Sequence, residues 1–193
     1  MFLRGDSNLR GIDLCIRDPD ISNVKRVAKL LNIEIIGALY PVKTCDEVIY
    51  RLEKKPSSMT DYRYLVVGET VEQLSSSSVV PNMIVVKDFQ KIKSFVKNRK
   101  YKSKIALEVL LSDIRHEEKI RVGRWFREVT DLYKFSKQYG YQFVMSSGAN
   151  SVWEMISAQC IESIMRICDI SPHTYWHELE DWIIQQDTPR LYA

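Results

Sequence analysis

The stretch YQFVMSSGANSVWEM, residues 141–155, decides the reading of the fold. Phe143, Val144 and Met145 form a short apolar run that reads as a buried strand, ended by Ser146, Ser147, Gly148 and Ala149. Ser151 stands at the place of a helix N-cap, and Trp153, Met155 and Ile156 start a helical apolar pattern behind it. A strand that closes on small residues and runs into a helix is a β-to-α unit. In α/β folds ligands gather at the carboxyl ends of such strands. Ser146, Ser147 and Gly148 are therefore a candidate strand-end turn, although a tight connection also selects Gly and Ser for geometry alone.

Outward from this unit the chain alternates strand with helix. Candidate strands are Gly11–Arg17, Ile33–Tyr40, Tyr64–Glu69, Met83–Lys87, Lys104–Leu111 and Tyr141–Ser147. Continuous apolar runs such as Met83-Ile84-Val85-Val86 suit a parallel sheet covered on both faces. Helical patterns occupy Asp20–Leu31, with Asp20 as cap, then Cys45–Glu53, a short Val71–Leu74, and a long Glu117–Gly140 closed by Gly140. Six strands between helices leave two architectures open, an open doubly wound sheet and a small or incomplete (β/α) barrel. No repeat or boundary divides residues 1–193, so one domain is expected, with helices at its C-terminal end.

Composition places the chain with ordinary globular proteins, at 45% hydrophobic and 27% charged residues. It holds no apolar run near the roughly 18 residues a membrane span needs, and MFLRGDSNLR lacks a signal-peptide core. A soluble, cytoplasmic protein without a membrane partner is the expectation. Cys15, Cys45, Cys160 and Cys168 share no CxxC spacing and read as buried free thiols.

Charge is strongly segregated. Residues 1–86 carry 11 basic and 11 acidic side chains, residues 87–137 carry 15 and 7, and residues 138–193 carry 2 and 7. A polyanion would meet the middle of the chain. Within KDFQKIKSFVKNRKYKSK, residues 87–104, Phe89, Ile92, Phe95 and Val96 recur at helical spacing, leaving Lys91, Lys93, Lys97, Arg99 and Lys100 for the solvent side. In the long helix Lys119, Arg121, Arg124, Arg127, Lys134 and Lys137 lie opposite Val122, Phe126 and Val129. Neighbouring α/β units would set these faces side by side. Guanidinium groups suit phosphate oxygens, and Tyr101, Trp125 and Tyr139 offer rings for stacking or for the core. Broad basic faces without a catalytic motif point to RNA binding: no G-x-S-x-G, Walker or G-x-G-x-x-G sequence occurs.

Ser146-Ser147-Gly148-Ala149, then Trp153-Glu154, an amphipathic helix and a terminal Thr188-Pro189-Arg190, resembles the protein component 3 family of archaeal and eukaryotic ribonuclease P. Ile105–Leu111 is similar to that family's strand carrying a Glu, here Glu108, and Asp13-Leu14 resembles its first strand. Leu110-Leu111-Ser112-Asp113 stands where the family often has Asn-Leu-Arg-Pro. Asn150 and Ile156–Cys160 lack its usual basic residues, so the RNA face is expected toward residues 87–127.

The resemblance implies a TIM-like (β/α) barrel, short or incomplete, related to the polymerase-and-histidinol-phosphatase barrel class. It implies an RNA-binding subunit of the ribonucleoprotein that removes the 5′ leader from precursor tRNA. Catalysis would belong to the RNA component with Mg²⁺, with no cofactor and no metal held by the protein. Partners would be ribonuclease P RNA, precursor tRNA through the complex, protein component 2 and other protein subunits. Candidate RNA-binding residues are Arg17, Lys87, Lys91, Lys93, Lys97, Arg99, Arg115, Arg121, Arg124 and Arg127.

The runner-up is a metal-dependent phosphoesterase of the same barrel class. Its signature strand, Asp-Leu-His-x-His-like, falls on Asp13-Leu14-Cys15-Ile16-Arg17, where a thiol and a guanidinium replace both imidazoles. His173 and His177 have i,i+4 spacing but no third ligand nearby, and read as helix-surface histidines. Asp13, Glu69, Glu108 and Glu154 are the carboxylates expected at the barrel mouth, where acid–base work and pairing with Arg or Lys are both open. A third reading is a nucleic-acid-binding or scaffold domain unrelated to ribonuclease P.

Overall fold

A computed structural model describes residues 11–39, 47–58, 60–69, 80–97, 105–115 and 119–186. Seven strands run parallel and pair in chain order: β1 (Gly11–Ile16), β2 (Ile33–Ala38), β3 (Val48–Leu52), β4 (Tyr64–Gly68), β5 (Met83–Val85), β6 (Ala106–Leu110) and β7 (Gln142–Ser146). The sheet curls until its two edges meet, giving an α/β barrel that is nearly closed. The closing contact is a parallel bridge between Ile16 and Ala149, with the Arg17 N–H donating to the Ala149 carbonyl at 2.7 Å. Below the bridge side chains stand in for a missing ladder. The Met145 N–H donates to the Tyr175 hydroxyl at 2.8 Å, and the Ser147 N–H donates to Asp13 Oδ1 at 3.0 Å. Edge donors of β7 that would otherwise lie buried and unpaired are thereby satisfied.

The helices are α1 (Ile21–Leu30), α2 (Phe89–Lys97), α3 (Ser112–Arg115), α4 (Lys119–Tyr139), α5 (Ala158–Ile167) and α6 (Pro172–Gln186). Asp20 caps α1 through its side chain, which accepts from the Asn23 N–H at 3.1 Å, and Ile21, Val24 and Ala28 form the buried face. Gly140 ends α4 at φ 75°. Val129 and Ser136 of α4 are buried, with Val122, Phe126 and Tyr133 half-buried on the same side. The helix α4 packs on β7 and against α2, and α6 packs on β7 and α5. A second apolar cluster under α1 joins Val24, Ile36, Val48, Tyr50 and Met155. Gly37 lets β1 and β2 approach, since a Cβ there would lie 2.0 Å from the Leu14 carbonyl oxygen.

Three expectations need correction. The segment Cys45–Glu53, read as helical, contains β3, which makes seven strands rather than six. Its Val48-Ile49-Tyr50 core is β-branched and aromatic, and the sheet on both sides overrides a weak helical period. The pattern from Trp153 does not open an α-helix. Val152–Glu154 is a single 3-10 turn, Ser151 makes no side-chain cap bond, and α5 starts only at Ala158, capped by Ser157. Trp153 is 92% exposed, so its apolar character is not part of a buried stripe. Cys160 is exposed, whereas Cys15 and Cys168 are buried as expected. Cys45, Val71–Leu74, Arg99, Tyr101, His116 and the terminal Thr188-Pro189-Arg190 lie outside the described residues. Among the described residues no helix is long and apolar enough to cross a membrane.

Candidate functional site

Two places hold the chemistry: the lumen of the barrel near its carboxyl end, and a groove on the outside between α2 and α4. In the lumen Arg51 of β3 reaches across to Glu108 of β6. Its two terminal nitrogens donate to Glu108 Oε1 at 2.9 Å and Oε2 at 2.7 Å, and Nη1 also donates to the Leu14 carbonyl at 2.8 Å. Ser146, at the end of β7, donates its hydroxyl to Glu108 Oε1 at 2.6 Å. Three strands are thus tied through one carboxylate. Burial would by itself lower the basicity of Arg51, but the Glu108 charge outweighs it and leaves the guanidinium held above its ordinary value.

Asp13 of β1 lies beside this pair and is fully buried. Its Oδ1 accepts from the backbone N–H groups of Cys15 at 3.2 Å and Ser147 at 3.0 Å, while Oδ2 has no partner. Burial pushes its carboxyl up to about 6, against the donors on Oδ1 and with the help of Glu108. Burial likewise pushes the Cys15 thiol up to about 12, so it stays protonated. Glu69 lies at the rim, 3.9 Å from Lys87 Nζ. Glu154 is elsewhere: it accepts from the Asn150 N–H at 2.8 Å and folds back on its own turn.

The strand-end turn is tight for a structural reason. Gly148 has φ 66°, and a Cβ there would fall 2.3 Å from Ser112 Oγ, the first residue of α3. The Ser112 N–H in turn donates to the Ser147 carbonyl at 2.9 Å. Ser146 thus ties β7 to β6, Ser147 ties it to β1 and to the start of α3, and Gly148 permits the close approach to Ser112.

The donor set of this mouth does not suit a divalent cation. Glu108 already holds a guanidinium, and Arg17 stands at the end of β1. His173 and His177 are exposed on α6, their rings 4.6 Å apart. Among the described residues no group of three or more His, Cys, Asp or Glu side chains is placed to hold a metal.

Comparison with known protein families matches no family model to this chain, and comparison with curated proteins finds no match. The likeness to ribonuclease P protein component 3 rests on the sequence motifs alone.

The outer groove has a volume of about 550 Å³ and is lined by Gln90 of α2 and by Gly123, Arg124, Arg127, Glu128 and Asp131 of α4. The apolar stripe of each helix turns these residues outward: Ile92 and Val96 are buried on α2, and Trp125 and Val129 on α4. Lys91, Arg121, Arg124 and Arg127 are exposed, and Lys93 is half-buried. The structure splits the RNA-binding candidates. Arg17 and Lys87 stand at strand ends around the mouth, and Lys91, Lys93 and the three arginines stand on the two packed helices. Lys97 and Arg115 end α2 and α3. Trp125 is 7% exposed and belongs to the core, whereas Tyr139 is 40% exposed. Sequence reasoning missed Arg51, which fell in the segment read as helix, and missed the groove's Gln90, Glu128 and Asp131. Their signals were the β-branched run before Arg51 and the repeated i,i+4 Arg-to-acid spacing in α4.

Proposed function

We propose that this chain is an RNA-binding protein subunit of ribonuclease P, supporting the RNA that cleaves the 5′ leader from precursor tRNA. The observation that carries the reading is the packing of α2 against α4, which lines one outer groove with Arg124 and Arg127 and sets exposed Lys91 and Arg121 on the same two helices. Positive side chains on a fixed scaffold neutralise phosphate charge and let RNA backbones approach each other. The interior is unsuited to a polyanion, because Arg51 is buried against Glu108 and Asp13 adds a second buried carboxylate beside it. Under this reading Mg²⁺ belongs to the RNA component, and protein component 2 is the expected protein partner.

The test is reconstitution of precursor tRNA cleavage with the RNA component and its other proteins, with and without this chain, across a Mg²⁺ titration. The chain should lower the Mg²⁺ required, since its cations replace part of the counterion atmosphere. Protein alone should leave precursor tRNA intact. Identical Mg²⁺ curves with and without the chain would reject the assignment, and RNA-free turnover would reject it in favour of a self-sufficient phosphoesterase.

A further inference from the structure

Within the groove, α4 carries two Arg-to-acid pairs at the same i,i+4 spacing, and they behave differently. Arg124 Nε donates to Glu128 Oε1 at 3.2 Å. Arg127 and Asp131 make no ion pair with each other, and among the described residues neither side chain hydrogen-bonds any partner. The Gln90 side chain, on the α2 wall, is equally uncommitted among the described residues. A Cβ added at Gly123 would meet nothing within 4 Å beyond its own stretch of helix backbone, so that part of the groove is open. One concavity therefore presents a guanidinium, a carboxylate with both oxygens available, and an amide.

We propose that this groove binds a guanosine 5′-phosphate unit, with the guanine edge on Asp131, the phosphate on Arg127, and Gln90 donating to guanine O6. Among RNA bases, guanine alone presents two adjacent donors, N1–H and the N2 amine, on its Watson–Crick edge. A carboxylate, which only accepts, matches both. Adenine and cytosine each set a ring-nitrogen acceptor beside their amine, and uracil flanks its single N–H with two carbonyls; each repels one carboxylate oxygen. Arg127 lies one helical turn from Asp131, and its forked donors suit a phosphate. The carboxylates that oppose simple polyanion binding become the reading element.

The guanosine unit has two sources, a residue of an unpaired RNA strand or a free nucleotide. The first deepens the RNA-binding reading and rests on it. The experiment uses the full chain and fluorescently labelled uridine ribo-octamers with guanosine, inosine, adenosine or cytidine at one central position, alongside calorimetric titration with free GMP. The guanosine octamer should bind about tenfold more tightly than the adenosine and cytidine ones. Inosine, which lacks the N2 amine, should fall between, and Asp131→Asn should erase the preference while circular dichroism stays unchanged. GMP binding that Asp131→Asn abolishes, with all octamers silent, would assign the site to free nucleotide and count against the RNA reading instead. Salt-dependent binding of every octamer with no base preference would overturn the guanosine site and leave the RNA reading standing. A guanosine preference that survives Asp131→Asn would also overturn it.

Discussion

The lumen of the barrel and the groove between α2 and α4 both hold arginine beside carboxylate, and they use the pair in opposite ways. In the lumen Arg51 spends both terminal nitrogens on Glu108, across strands that are not neighbours, and Ser146 adds a third bond from β7. In the groove Arg124 pairs only with Glu128 on its own helix, and Arg127 and Asp131 remain uncommitted. Solvation explains the difference. A charge removed from water is costly unless its partners are complete, whereas an exposed one remains hydrated whether paired or not. Committed pairs that bridge distant elements hold a fold together; uncommitted ones on a packed surface are available to a ligand. The same residue types therefore serve as scaffold in one place and stand on an open surface in the other.

The largest expected effect lies in the lumen. Arg51→Ala leaves Glu108 buried with the Ser146 hydroxyl as its remaining hydrogen-bond donor, and should cost about 3–5 kcal/mol of unfolding free energy. Urea unfolding reads this directly. An Arg51→Met, Glu108→Leu double variant should recover much of the loss, because replacing both partners leaves no orphaned charge. A loss below about 1 kcal/mol for Arg51→Ala would break the contrast, since the lumen pair would then weigh no more than an exposed one.

The next effect is a pH dependence at the barrel's closing seam. Asp13 titrates at about 6 in the fold against 3.8 ordinarily, so between those values the folded protein binds the extra proton. Its contribution is complete below about pH 3.8 and is lost as pH rises through about 6. Asp13→Asn keeps an oxygen for the Cys15 and Ser147 N–H groups and cannot ionise. Relative to this variant, the wild-type protein should lose about 2.4 kcal/mol of stability as pH rises from 4 to 7. Parallel stability–pH curves for the two proteins would mean that Asp13 is not ionised at cost in the seam.

Much of the barrel was legible because its strands are apolar on both faces. Met83–Val85, Ala106–Leu110 and Gln142–Ser146 carry that signal and lie within the predicted spans. The strand Val48–Leu52 was misread because its apolar run is only Val48-Ile49-Tyr50, between Glu47 and Arg51, and Arg51 makes sense only once Glu108, 57 residues away, is opposite it. Trp153 misled in the other direction, as a large apolar residue that the fold leaves outside. At the candidate site the basic helix faces followed from the stripe of Phe89, Ile92 and Val96 and from that of Val129 and Ser136. The groove did not, because it exists only where two helices far apart in sequence pack together. Whether an i,i+4 pair closes on itself, as Arg124–Glu128 does, or stays open, as Arg127–Asp131 does, depends on local rotamers that spacing alone does not set.

The smallest effect is expected on the outside, and it gives the contrast its sharpest form. Arg127→Ala removes an exposed side chain that no described residue hydrogen-bonds, and Asp131→Ala does the same one turn further along α4. Each should change unfolding free energy by no more than about 0.5 kcal/mol, since no buried surface is opened and no charge is stranded. Alanine also favours a helix slightly over either residue, which offsets part of any loss. Measured in the same urea series as Arg51→Ala, the two substitutions should superimpose on the wild-type curve. A destabilisation of 2 kcal/mol or more at either position would show that the groove residues are tied into the fold as Arg51 is. Residues so committed could not be held open for a ligand.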